Sequence, residues 1–125
     1  MTENDISFKI RAGIFKVYNT LGAGLLESAY EAALKYELEQ LDLKVQSQVP
    51  MPMVYGNVKV DISYRLDLLV EDKVIIELKS VESLHNVHHK QLITYLKLSG
   101  KKLGILVNFN TYNLNGNIVR KVNGL

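Results

Sequence analysis

"YRLDLLVEDKVIIELK", residues 64 to 79, reads as two apolar strands joined by a short polar turn, with a carboxylate set into each strand. If Glu71, Asp72 and Lys73 form the connection, Val70 pairs with Val74. That register puts Asp67 opposite Glu77 and Arg65 opposite Lys79, with facing Cβ atoms about 5 Å apart. A two-residue turn instead sets Asp67 opposite Ile76, so loop length or a bulge decides whether the two acids meet.

Upstream, Val45, Val49, Met51, Met53 and Tyr55 recur at a period of two as far as "YGNV", residues 55 to 58, a Gly-Asn hairpin signal. With Gly56 and Asn57 as the loop, Tyr55 pairs with Val58, Met53 with Val60, Met51 with Ile62 and Val49 with Tyr64. Strict alternation then makes Val58, Val60, Ile62, Tyr64, Leu66 and Leu68 one core face, and leaves Asp67 on the other face beside Arg65. Pro50 and Pro52 lack donors on the same edge, which places this strand at the border of the sheet.

Earlier still, Ile6, Ile10, Ile14 and Val17 mark a helix over about 5–19, closed by the Gly-rich "NTLGAG". A second helix is expected over about 25–41, with Leu26, Ala29, Tyr30, Ala33, Leu34, Leu38 and Leu41 as its apolar stripe. Downstream of the quoted stretch, whose last strand is expected over 74–81, a third helix is predicted over about 84–99. Its stripe is Leu84, Val87, Gln91, Leu92, Tyr95 and Leu96. The nearly all-apolar "KLGILVNF" then supplies a strand from the interior of a sheet. A strand-helix-strand order makes that last strand parallel to the one before the helix. At most a short edge strand at 118–122 is expected in the Asn- and Gly-rich tail. The expected fold is α/β, a mixed four-stranded sheet made of an antiparallel meander and one parallel strand, flanked by helices in a single domain over residues 1–125.

Composition narrows the chemistry. A chain of 125 residues without cysteine offers no disulfide framework, zinc knuckle or thiol nucleophile. The acidic "MTENDISF" start and the lack of a membrane-length apolar run point to a soluble, cytoplasmic protein with no leader. Fifteen basic against thirteen acidic residues give a net charge of +2, too small a bias to indicate nucleic-acid binding by itself. Two carboxylates side by side, however, repel unless a cation or shared proton compensates them. Hard oxygen ligands select Mg²⁺ or Mn²⁺, and Lys79 two residues along can orient or deprotonate an attacking water or stabilise a pentavalent phosphate. That is the set phosphodiester hydrolysis requires. The competing account of "ELK" is an ordinary charge pair on a solvated strand face.

"GLLESAY", Gly24 to Tyr30, fits a G-x-x-E-x-x-Y pattern. The chain resembles the GxxExxY proteins, a branch of the PD-(D/E)XK nuclease superfamily, and the similarity continues in order through "YRLDLLV", "IIELKSVESL", "HHKQLITYLKLSG" and "LGILVNF". The resemblance implies a restriction-endonuclease-like fold. It makes Asp67 and Glu77 metal-binding carboxylates, the Leu78 carbonyl a further ligand, Lys79 the catalytic lysine and Glu27 an addition to the metal site, directly or through water. Gln91 and Tyr95 resemble the Q-x-x-x-Y element of exonuclease-like members, on the substrate side, and His88 matches a histidine that often precedes the glutamine. Leu66 replaces the usual proline before the aspartate, at a position that is often not proline. The implied function is Mg²⁺- or Mn²⁺-dependent hydrolysis of DNA or RNA by a chain acting as a dimer or with partner domains. The alternative is a non-catalytic nucleic-acid-binding or assembly module that keeps the fold.

Several of these residues have a second reading. Glu27, three residues after Gly24, also suits the first turn of a helix, where the dipole favours an acid. Tyr30 falls on the apolar stripe as a core residue whose hydroxyl needs a partner, with Glu27 within reach. Gly22 and Gly24 serve a turn or offer amides to a phosphate. Arg65 is an ion-pair partner or a phosphate contact. Gln91, polar on a buried face, must be hydrogen-bonded. His85 and His89 are one turn apart, but no third zinc ligand is evident, so a solvated helix face is expected.

Overall fold

The computed structural model describes the backbone of all 125 residues and the side chains of all but residues 61–63. Helix α1 (Glu3–Leu21) begins at Thr2, whose hydroxyl accepts from the Asp5 amide while the Asp5 carboxylate accepts from the Thr2 amide. This reciprocal cap satisfies two of the amides that a helix start leaves free. Ile6, Ile10, Ile14 and Val17 are all buried, as their spacing predicts. Helix α2 (Glu27–Gln40) packs Leu34 and Leu38 against Gly13 of α1, where an added Cβ would lie 2.8 Å from Leu38. The stripe expected on α2 is shorter in fact. Leu26 precedes the helix and is 77% exposed, and Leu41 follows it and is exposed too, because helical phase does not extend to residues outside the helix.

Strands β1 (Val45–Tyr55), β2 (Val58–Val70) and β3 (Val74–Lys79) form the antiparallel meander, with β1 at the edge where its two prolines require it. Helix α3 (Asn86–Ser99) then crosses to β4 (Leu103–Asn108), which is parallel to β3. The sheet has five strands rather than four. A 3₁₀ turn at Asn115–Asn117 returns the chain as β5 (Ile118–Val122), antiparallel to β4. Every residue of β4 is buried, so its outer edge needs a partner for its amides and carbonyls, and β5 supplies it. Among the described residues no helix is long and apolar enough to cross a membrane.

The β1–β2 hairpin has the expected loop, with Gly56 at φ 60° and Tyr55 opposite Val58. Its register then slips by two residues between Pro52 and Met53. Met51, expected opposite Ile62, faces Tyr64 instead, and Val49, expected opposite Tyr64, faces Leu66; the Ile62 side chain lies outside the described residues. A slip of two keeps each side chain on its face.

Alternation fails elsewhere. Val45 packs with the cluster under α1 and α2, whereas Val49 and Met51 pack with the cluster under α3; Leu68 and Leu66 divide in the same way on β2. The change of face falls at Gln48, whose φ of 52° is left-handed. The single core face expected from Val58 to Leu68 is therefore two half-faces, and its outer end, Val58, is exposed.

Candidate active site

The turn after β2 has the length that brings the acids together. Val70 pairs with Val74, and Glu71 and Asp72 take left-handed φ values of 54° and 56° to close three residues. The β2–β3 ladder runs to Leu68 opposite Ile76 and then changes character. One residue further, the Glu77 carboxylate accepts from the Asp67 amide at 3.3 Å, and the Asp67 carboxylate accepts from the Leu78 amide at 2.9 Å. Each acid thus replaces a ladder bond of the neighbouring strand, and the two side chains interlock.

Glu77 is 3% exposed. Burial first, and then the Asp67 carboxylate, push its pKa up to about 9. Glu77 is thereby kept protonated at neutral pH unless a cation takes the place of its proton. Burial, then Glu77 and Asp67, raise the Tyr95 hydroxyl above its usual range, and the exchanged amide bonds hold Asp67 to Glu77. Asp67 therefore belongs with Glu77, and the strict alternation that grouped it with Arg65 breaks between Leu66 and Leu68. Arg65 is exposed, and its guanidinium donates to the Gln48 carbonyl at 3.3 Å.

Lys79 closes β3. Its ammonium donates to the Gln91 side-chain oxygen at 3.4 Å, and the Gln91 amide nitrogen donates to the Tyr95 hydroxyl at 3.0 Å. Gln91 is thereby satisfied, as its half-buried position demands. Tyr64 from β2 tilts against Tyr95 with ring centroids 5.6 Å apart. Lys79, Tyr64, Tyr95, Gln91, His88, Lys90, Thr94 and Val87 line a cleft of about 430 Å³. Val87, expected in the core, is 65% exposed because the first turn of α3 overhangs this cleft. His88 Nδ1 accepts from the His85 amide at 3.0 Å at the helix start. Burial and then the Lys79 charge hold its imidazole below the ordinary pKa, consistent with a neutral acceptor.

The Gly-rich loop carries the remaining acid. Glu27 opens α2 but caps nothing there; its carboxylate accepts from the Ser80 amide at 3.4 Å, next to Lys79. Ser80 Oγ donates to the Leu25 carbonyl at 2.6 Å. Tyr30 is buried and stacks on Phe109 with centroids 4.4 Å apart. Its hydroxyl donates to the Gly22 carbonyl at 2.6 Å and accepts from the Leu25 amide at 3.2 Å, so its partner is the loop rather than Glu27. The Gly22 amide is taken by the Tyr18 carbonyl, which removes it as a phosphate donor. In "GLLESAY", then, the tyrosine pins the loop from which the glutamate reaches the end of β3.

Sequence reasoning passed over three residues of this site. Asn108 is 1% exposed, donates to the Val81 carbonyl at 2.9 Å and accepts from the Val81 amide at 3.1 Å, which turns the chain out after Lys79 and ends β3 short of the expected Val81. An asparagine at the end of a wholly apolar strand was a usable signal, since a buried amide needs partners. Ser80 ties that turn to the Glu27 loop. Glu31, one turn along α2 from Glu27, accepts from the Gln48 side chain at 2.8 Å; burial above all, and then Asp67, raise its pKa. Nothing in the α2 stripe distinguishes Glu31 from a solvent-facing acid.

The donor set suits a hard cation. Asp67 and Glu77 each spend one carboxylate oxygen on a backbone amide, which leaves the other for a metal. Among the described residues no group of three or more His, Cys, Asp or Glu side chains converges as a metal cluster. Glu27 itself is held on the Ser80 amide.

No curated protein and no solved structure matches the chain. The family model of the PD-(D/E)XK nuclease superfamily matches residues 4–121, which takes in all three helices, the strands that bear Asp67, Glu77 and Lys79, and nearly all of β5. Since the match spans almost the entire chain and every element that builds the site, the chain belongs to the PD-(D/E)XK nuclease superfamily.

Proposed function

We propose that the protein is a metal-dependent nuclease of the GxxExxY type that hydrolyses phosphodiester bonds in DNA or RNA. The observation that carries this reading is the interlocked Asp67–Glu77 pair, with Glu77 buried and Lys79 two residues along the same strand. Asp67, Glu77 and the Leu78 carbonyl would hold Mg²⁺ or Mn²⁺, with Glu27 joining through water. When bound, such an ion would supply Lewis acidity to the phosphate and lower the pKa of the attacking water. Lys79, positioned by Gln91, sets its ammonium where it orients that water or offsets charge on the phosphate. Tyr95 supports Gln91.

Purified protein with Mg²⁺ or Mn²⁺ is offered single-stranded, duplex, branched and RNA substrates, beside a Lys79→Ala control and a chelated sample. Cleavage that requires metal and disappears in Lys79→Ala is the expected result. Binding that ignores both chelator and Glu77→Ala, without cleavage, would instead identify a nucleic-acid-binding or assembly module on the same fold.

A further inference from the structure

Outside the site, the loop between β4 and the 3₁₀ turn combines restraint with exposure in an uncommon way. Phe109 and Leu114 anchor its two ends in the core. Between them several polar groups are engaged. The Phe109 amide donates to the Lys79 carbonyl at 3.0 Å, the Asn110 amide to the Asn108 side chain at 3.2 Å, and the Asn110 side chain to the Val81 carbonyl at 3.4 Å. The Thr111 carbonyl accepts from the Tyr18 hydroxyl, and the Thr111 hydroxyl accepts from the Asn113 amide and the Asn117 side chain at 3.0 and 3.1 Å. Tyr112 stands at the centre of this framework with its side chain fully exposed. The hydrogen bonds of Thr111 and Asn113 fix where the loop presents this ring, and an aromatic face left in water is free to meet a ligand.

A polar cleft of about 410 Å³ opens beside it, lined by Ala23, Glu82, Asn110, Thr111 and Tyr112. Ala23 belongs to the loop that leads to Glu27, and Glu82 lies three residues past Lys79, so the cleft borders the two loops that frame the proposed active site. The Glu82 carboxylate repels phosphate there. An aromatic face beside amide and hydroxyl groups suits a nucleobase instead.

We propose that Tyr112 is a stacking platform for an unpaired base of the nucleic acid that occupies the active site. The inference rests on the nuclease reading and narrows it, because a base inside a duplex has both faces covered and cannot stack on Tyr112. The substrate is therefore single-stranded, or carries a single-stranded extension beside the bond that is cut.

The chain contains no tryptophan, which allows a direct test. Fluorescein-labelled single-stranded DNA and RNA oligonucleotides, and blunt duplexes of the same sequence, are titrated by anisotropy with the parent protein, Tyr112→Ala and Tyr112→Trp in buffer containing Ca²⁺. Tyr112→Ala is expected to weaken single-strand binding by roughly five- to a hundredfold, the usual range for one base–aromatic stack, and to leave duplex binding and the melting temperature unchanged. Tyr112→Trp should keep the affinity, and its lone indole should be quenched by the single strand and not by the duplex. Equal affinities of the parent and Tyr112→Ala, or an unquenched indole on a bound oligonucleotide, would overturn the proposal while leaving the nuclease reading intact. Stacking without cleavage by the parent protein in Mg²⁺ or Mn²⁺ would do the reverse.

Discussion

The two faces of the sheet are built for different purposes. Under α1 and α2 lies the larger cluster, in which Ile6, Ile10, Ile14, Leu34, Leu38, Leu68, Val74 and Ile76 bring no polar atom into the interior. Under α3 the cluster is smaller, formed from Met51, Leu66, Leu69, Ile75, Leu92, Leu96 and Leu106 with Tyr95, and the buried Glu77 points to this side. Close approach uses a glycine on each side: Gly13 lets α1 meet α2 on the first face, and Gly104 lets α3 settle on β4 on the second, where an added Cβ would lie 2.7 Å from Leu92. What separates them is the polar network of Glu77, Asp67, Lys79, Gln91 and Tyr95. A charged group in the interior costs stability, so a small domain can host one only where another face supplies the surplus.

The division of labour is tested first where its effect should be largest. Leu34→Ala, deep in the apolar face, should lower stability by about 2–5 kcal/mol in denaturant melts. The folded fraction should cleave at the parental rate; a matching loss of turnover per folded molecule would couple the two faces. Lys79→Ala is the mirror image. Turnover should fall by about a hundred- to a thousandfold, as when one preorganised charge-stabilising donor is removed, while the melting temperature and the Mn²⁺ titration heat stay near the parental values.

Glu77 sharpens the contrast through pH. Its folded pKa of about 9 stands above its ordinary value of 4.5, so between them the native state binds more protons than the unfolded chain. Stability of the metal-free protein should therefore be greatest below that window and decline as pH rises through it. Glu77→Gln should remove this decline, and divalent metal should oppose it in the parent protein. An unaltered slope in Glu77→Gln would locate the proton elsewhere on the α3 face. The smallest effect is expected where the faces meet. Tyr30→Phe keeps the stack on Phe109 and loses only the hydroxyl that holds Gly22 and Leu25, at a cost of about 0.5–1.5 kcal/mol. A greater proportional loss in cleavage than in stability would show that the pinned loop serves Glu27.

Residue pattern alone determined much of this protein. Helical spacing in α1, the Gly-Asn hairpin, the edge position of β1, the length of the turn after Val70 and the parallel return of β4 all follow from local steric rules and the need to bury one face. Two acids and a lysine on the paired strands were legible for the same reason. Tertiary structure decided the rest. The left-handed Gln48 and the break between Leu66 and Leu68 change which way side chains face, and no periodicity reports a left-handed residue within a strand. The partners of Tyr30, Ser80, Asn108 and Glu31 come from separate elements. Their hydrogen bonds are set by how the helices settle on the sheet, and that depends on the packing of the whole core rather than on any window of the chain.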